Sequence, residues 1–176
     1  MDSWNGTVAE LLEEIFDPTV SFDDLSWIAK QWDGPVVVKG IQTVENAVQS
    51  VKAGATAIQL SNHGGRQPDR APVPFEILPQ AVKEIGDTEV YLDTGITHGA
   101  DIVASFAAGA KFTFIGRAYL YGLMAGGRPG VDKAINILEG QIARTMRLLG
   151  ANQISELEPS RLAHLSNLVS NSKSRK

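Results

Sequence analysis

An α/β protein built on a parallel sheet is what this sequence predicts. Three observations carry that expectation. Four short apolar runs, near 35–39, 57–61, 89–93 and 111–116, are bounded by turn residues and read as strands. Stretches of helical period follow each of them, giving the order βαβαβαβα, which builds parallel strands under helical cover. The polar residues gather at the carboxyl ends of the four runs, the rim where parallel α/β proteins bind ligands. No linker interrupts the 176 residues, so 1–176 is read as one domain with a single core.

The elements follow in order. "TVAELLEEI" is a short amphipathic helix. "SFDDLSWIAK" is a second, with Ser21 and Asp24 spaced as a capping box. "GPVVVKG" is an apolar strand between glycines. "TVENAVQSVKAG" is a helix started by Thr43 and stopped by Gly54. "ATAIQLS" is the second strand. "VPFEILPQAVKEIG" is a helix with a bend or turn expected at Pro79. "TEVYLD" is the third strand, "HGADIVASFAAGA" a helix and "KFTFIG" the fourth strand. "RAYLYGLMAGG" is a short helix. The long one from Val131 carries an apolar stripe, Ile135, Leu138, Ile142, Met146 and Leu149, that reads as packing. "EPSRLAHLSNLV" closes the chain. The β-branched and aromatic strand residues predict burial on both sheet faces.

Composition narrows the function. Apolar residues make up 43% and charged residues 20%, as in ordinary globular domains. The net charge of -4 and the lack of a basic stripe argue against a nucleic-acid partner, and the basic "NSKSRK" reads as a frayed tail. Without cysteine there is no disulfide, thiolate catalysis or cysteine-ligated metal. The start lacks a signal-peptide pattern, and no apolar run is long enough to span a bilayer, so the expected location is cytoplasmic. His63, His98 and His164 follow no ligand spacing, and no metal is expected.

The rim residues then pose the chemistry. Lys39 follows three valines, and is either a solvated strand-end lysine or a fixed cation facing a ligand. Ser61 opens "SNHGGRQPD". There His63 is a turn residue or a general base, since imidazole titrates near neutrality. Arg66 is a surface cation or a two-pronged clamp for a carboxylate, and Asp69 orients one of these or forms a plain ion pair. Asp93, Thr94 and Gly95 end the third strand, and Gly116 and Arg117 the fourth. Two successive strand-to-helix turns of this kind predict an anion, most simply phosphate, held by backbone N–H groups at two helix starts beside Arg117.

"VVKGI", "SNHGGRQ.D", "D.GI..G.D", "GAKF..IGR" and "YGL..GG..GV" occur here in the order and spacing of a known family. Over about 16–157 the chain resembles the C-terminal half of the FMN-dependent L-2-hydroxy acid oxidases and dehydrogenases. These include glycolate oxidase, lactate monooxygenase, flavocytochrome b2 and the quinone-linked L-lactate dehydrogenases. "LDTGITHGADI" and "GRAYLYGLMAGG" look most like the bacterial L-lactate dehydrogenase branch.

The resemblance implies FMN as cofactor and a TIM-barrel fold, present here as a four-strand C-terminal half-barrel. It implies oxidation of a small 2-hydroxy acid, L-lactate to pyruvate, with a quinone or another electron acceptor. Lys39 is implied near the flavin ring with Ser61 beside it. His63 is implied as the base, Asp93 as its hydrogen-bond partner and Arg66 as the clamp on the substrate carboxylate. Thr94, Gly95, Gly116 and Arg117 are implied on the cofactor side, the last three at the FMN phosphate. Thr97 stands where many members have arginine, and Thr94 where many have glycine. Members of the family are eight-stranded barrels, so the chain is read as a fragment, a truncated product or a half-barrel. Its partner is then a second copy or a missing N-terminal half, and its location extends to the inner face of the membrane. The alternative reading is an inactive half-barrel that binds phosphate or FMN weakly, or serves as an assembly module.

Overall fold

A computed structural model describes residues 6–163; the closing residues after 163 and the basic tail lie outside them. Two helices come first, α1 (Val8–Ile15) and α2 (Phe22–Gln31). The expected capping box forms at α2, where the Ser21 N–H donates to Asp24 Oδ2 at 2.7 Å. Then β1 (Val37–Ile41), β2 (Ala57–Leu60), β3 (Glu89–Leu92) and β4 (Phe112–Thr113) alternate with α3 (Val44–Lys52), α4 (Pro74–Ile85), α5 (Gly99–Ala107) and α6 (Arg117–Leu149). All neighbouring strands pair in parallel, in the order β1-β2-β3-β4.

Register sorts the residues into two faces, because side chains alternate along a strand. Val38, Ile58 and Val90 align, as do Ile41, Leu60, Leu92 and Thr113. These residues look toward the helices, and Ile58, Leu60, Val90 and Leu92 form the core with Ala47, Leu78 and Ala81. Lys39, Gln59, Tyr91 and Phe112 align on the other face. That face is uncovered at its edges, with Val37 and Phe112 exposed. Burial on both faces, as the strand composition predicted, therefore forms only at β2, whose four residues are all buried. Four βα units cover one side with helices, while on the other Leu12 and Phe16 reach the cleft at the rim and the edge strands stay partly exposed.

Three further expectations shift. The first strand starts at Val37, not at Pro35. Proline lacks the ladder donor, and the Val36 N–H bonds instead to Thr56 Oγ1 at 2.9 Å. The fourth strand shrinks to Phe112–Thr113, which pair with Tyr91 and Leu92. α4 runs unbroken through Pro79, which sits on its exposed side.

α6 breaks where the sequence expected two helices, with non-helical backbone at Gly126 and Gly127 and Pro129 opening the second part. Of its stripe, Leu138 is buried and Ile142, Met146 and Leu149 are half-buried, while Ile135 is exposed. Gly99 lets α5 close on this stripe: a Cβ there would strike the backbone at Leu138 and Ile142.

Candidate active site

The carboxyl rim of the open face forms a cleft of about 850 Å³. Lys39, His63, Arg66, Asp93, Thr94, Gly95, Gly116 and Arg117 all line it, so residues from four strand ends converge as the sequence predicted. Ser61 lies just beneath, fully buried, and Asp69 is exposed away from the cleft.

The 61–65 loop folds on its own polar groups. The Asn62 side chain donates to Pro72 O at 3.2 Å and accepts from the Gly65 N–H at 3.1 Å. Ser61 Oγ accepts the His63 N–H at 3.1 Å. These bonds hold His63 at φ +56°, a left-handed conformation uncommon for a non-glycine residue. Its ring lies on Gly40, where a Cβ would stand 2.8 Å from the imidazole Cε1. Gly40 itself has φ +92°. The bulge between Lys39 and Ile41 thus needs glycine twice, for its dihedral and for the ring.

Lys39 and Asp93 make the one ion pair among the described residues, with Nζ 3.6 Å from Oδ2. Lys39 also reaches Ser61 Oγ at 3.5 Å. Thr94 Oγ1 donates to Asp93 Oδ1 at 2.8 Å, and Gln59 Nε2 donates to Oδ2 at 2.5 Å. Partial burial pushes the Asp93 carboxyl up. Hydrogen bonds from Ser61, Thr94 and Gln59 and the Lys39 charge outweigh that and hold it below the ordinary carboxylate range. Thr94 takes φ +76°, unusual for a β-branched residue. Its hydroxyl stitches that turn to the histidine loop by accepting the Gly64 N–H at 3.4 Å.

The hydrogen bond expected between Asp93 and His63 is not present. Every bond to the carboxylate comes from Gln59, Ser61, Thr94 or Lys39, and His63 Nδ1 is buried without a partner. Gln59 escaped the sequence reading. Its signal was a single amide inside the apolar "AIQL", two positions before Ser61 and so on the same strand face.

The anion end also needs correction. The start of α5 is already satisfied by the protein itself. Asp101 Oδ2 accepts the Thr97 and His98 N–H groups, His98 Nδ1 accepts that of Ala100, and Gln141 accepts that of Gly99. The start of α6 has no side-chain cap at Gly116, and Arg117 lies in its first turn. Arg117 donates to Gly64 O at 3.4 Å, which ties it to the histidine loop. One helix start, not two, is therefore free to receive an anion, and Arg117 stands at it.

The comparisons give the class. Residues 2–164 match the family model of the FMN-dependent dehydrogenases, and the chain belongs to that family. More particularly, it is 57% identical, over 96% of its length, to a Mycobacterium tuberculosis protein provisionally named an L-lactate dehydrogenase. It is 43% identical, over 81% of its length, to the pre-mycofactocin synthase of Mycolicibacterium smegmatis. Among solved structures, the monotopic membrane protein (S)-mandelate dehydrogenase superposes on 88% of the chain with TM-score 0.84 and 39% identity. The chain spans 41%, 36% and 41% of these three proteins, so its four strands are part of a TIM barrel.

The site fits the family's cofactor. A cationic helix start stands at one end of the cleft and Lys39 at the other. Gly95 and Gly116 leave open space where a Cβ would point. No helix among the described residues is long and apolar enough to cross a membrane.

Proposed function

We propose that this chain carries the FMN site and the proton-handling groups of an L-2-hydroxy acid dehydrogenase whose substrate is L-lactate. The observation that carries the reading is the convergence of Lys39, His63, Arg66, Asp93, Gly95, Gly116 and Arg117 on one cleft. Lactate is favoured by the name and identity of the mycobacterial relative.

Bound FMN supplies the two-electron redox chemistry, with a quinone or another acceptor downstream. The protein supplies position and charge. Arg117 and the uncapped start of α6 hold the phosphate. Lys39 sets positive charge against the ring system, and Asp93 sets the position of that charge. Arg66 has no hydrogen bond or ion pair among the described residues, and its guanidinium is free to clamp the substrate carboxylate. His63 takes the substrate proton. Its Nδ1 is buried, so Nε2 is the nitrogen that receives it. The large share of each relative's length with no counterpart here supplies the rest of the barrel, and a peripheral membrane location accords with the monotopic neighbour.

The test is anaerobic mixing of the FMN-loaded chain with L-lactate, alone and with the remaining barrel segment of a family member supplied in trans. Loss of flavin absorbance is expected. His63→Ala should slow it by about 10²–10⁴-fold while FMN stays bound. Reduction at the parental rate in His63→Ala would remove the base assignment. The open sheet face favours one other reading, an assembly module without turnover. That reading wins if FMN binds and no hydroxy acid ever bleaches it.

A further inference from the structure

Gln59 is an amide placed where strand composition calls for an aliphatic residue. It is 6% exposed, in a four-residue strand whose other members are Ala57, Ile58 and Leu60. Burying a carboxamide is unfavourable unless its groups are bonded. Here the amide is spent on one acceptor, Asp93 Oδ2 on the next strand. That oxygen is also the one that faces Lys39 Nζ, from the strand on the other side. Parallel register makes this arrangement: Lys39, Gln59 and Tyr91 lie abreast, and Asp93 is two positions beyond Tyr91 on the same face. Gln59 therefore stands between the cation and the anion and touches the anion. Thr94 takes the other carboxylate oxygen, and the His63 imidazole is left without a partner on its buried side.

We propose that Gln59 is a positioning residue of this site: it anchors the Asp93 carboxylate toward Lys39, and so fixes the net charge that Lys39 presents to the flavin. The inference rests on the flavin reading for its consequence, but not for its geometry. With the amide in place, the Asp93 anion partly neutralises Lys39. With the amide gone, Oδ2 loses the donor that holds it beside Lys39, the carboxylate swings to Thr94 and Ser61, and Lys39 presents a fuller positive charge to the cleft. A fuller charge favours the electron-rich, reduced flavin.

The experiment uses the 176-residue chain. The Asp93 carboxyl carbon is followed by NMR against pH in aspartate-labelled protein and assigned by its loss in Asp93→Asn. In Gln59→Leu, which keeps bulk and removes the donor, Asp93 should titrate at higher pH than in the parent. In Gln59→Glu, two carboxyl groups share the spot, and one of them should titrate above the ordinary carboxylate range. Circular dichroism reports whether each variant is folded. A folded variant of either kind with an unmoved Asp93 titration would overturn the anchor role.

The second arm measures the midpoint potential of bound FMN, which should be more positive in Gln59→Leu than in the parent. A moved titration with an unmoved potential would confine Gln59 to structure and overturn its link to the flavin. A parent chain that holds no FMN would instead refute the flavin reading, and the titration arm would still decide the anchor.

Discussion

The two faces of the sheet are covered differently. On the helix side Ile58, Leu60, Val90 and Leu92 are at most 1% exposed. On the open side Val37 is 44% and Phe112 53% exposed, and the polar residues Lys39, Gln59 and Asp93 share that face with the aromatic group Tyr91, Phe112 and Phe114. Alternation along each strand thus separates two tasks. The even-numbered residues of β2 and β3 hold the chain together, and the odd positions of β1 and β2 and the one just past β3 set Lys39, Gln59 and Asp93 toward the rim. Substitutions on the two faces should therefore fail in different ways.

The largest effect is expected on the closed face. Ile58→Ala removes a fully buried side chain from the centre of the core. It should cost about 2–5 kcal/mol of unfolding free energy, from lost burial and the cavity left behind. Urea denaturation followed by circular dichroism measures it. A cost within the range of surface substitutions, about 0.5 kcal/mol, would mean that the helix side is not the stabilising layer.

A smaller and more specific loss is expected at the rim. Arg117→Ala removes the guanidinium at the uncapped start of α6 and leaves the core untouched. A charge-assisted contact of this kind contributes about 1.5–3 kcal/mol, so FMN affinity should fall by about one to two orders of magnitude. Riboflavin, which lacks the phosphate, should be affected much less. Calorimetric titration with both ligands separates the cases, and equal losses would place Arg117 away from the phosphate.

The two faces were not equally legible in the sequence. The strands were visible as apolar runs, and the rim residues as polar groups following them, because both signals are local. "SNHGGRQPD" and the glycine turns needed no knowledge of neighbours either. What stayed hidden depends on which strand lies beside which. Gln59 reads as an ordinary polar residue until register sets it between Lys39 and Asp93. Asp93 was paired with His63 by resemblance, yet its neighbours across the sheet claim it first. The start of α5 looked free, but Asp101, three positions after His98, caps it, and Gln141 reaches it from a helix distant in sequence. Burial on both faces stopped at β2 for a similar reason. Apolar composition says that a face seeks cover, not that this length of chain provides it.

The smallest expected change in stability, and the sharpest test of the open face, is at the sheet edge. β1 pairs only with β2, so its other side offers unpaired N–H and C=O groups, and Val37 adds exposed apolar surface. Such an edge recruits another strand. The chain by itself should then self-associate reversibly, with sedimentation coefficients that rise with concentration. Val37→Lys places a charge on that edge while leaving every core residue in place. Its unfolding free energy should move by less than about 0.5 kcal/mol. Association should nevertheless weaken, because a lysine on an edge strand must be desolvated before a second strand can pair with it. Phe112→Lys on β4 repeats the test at the opposite edge, where the exposed ring packs on Tyr91 and Phe114 of the same face. If both variants associate as the parent does, the contact lies on the helices. If the parent stays a monomer at every concentration, the open face is stable in water as it stands, and the contrast between the two faces is one of chemistry alone.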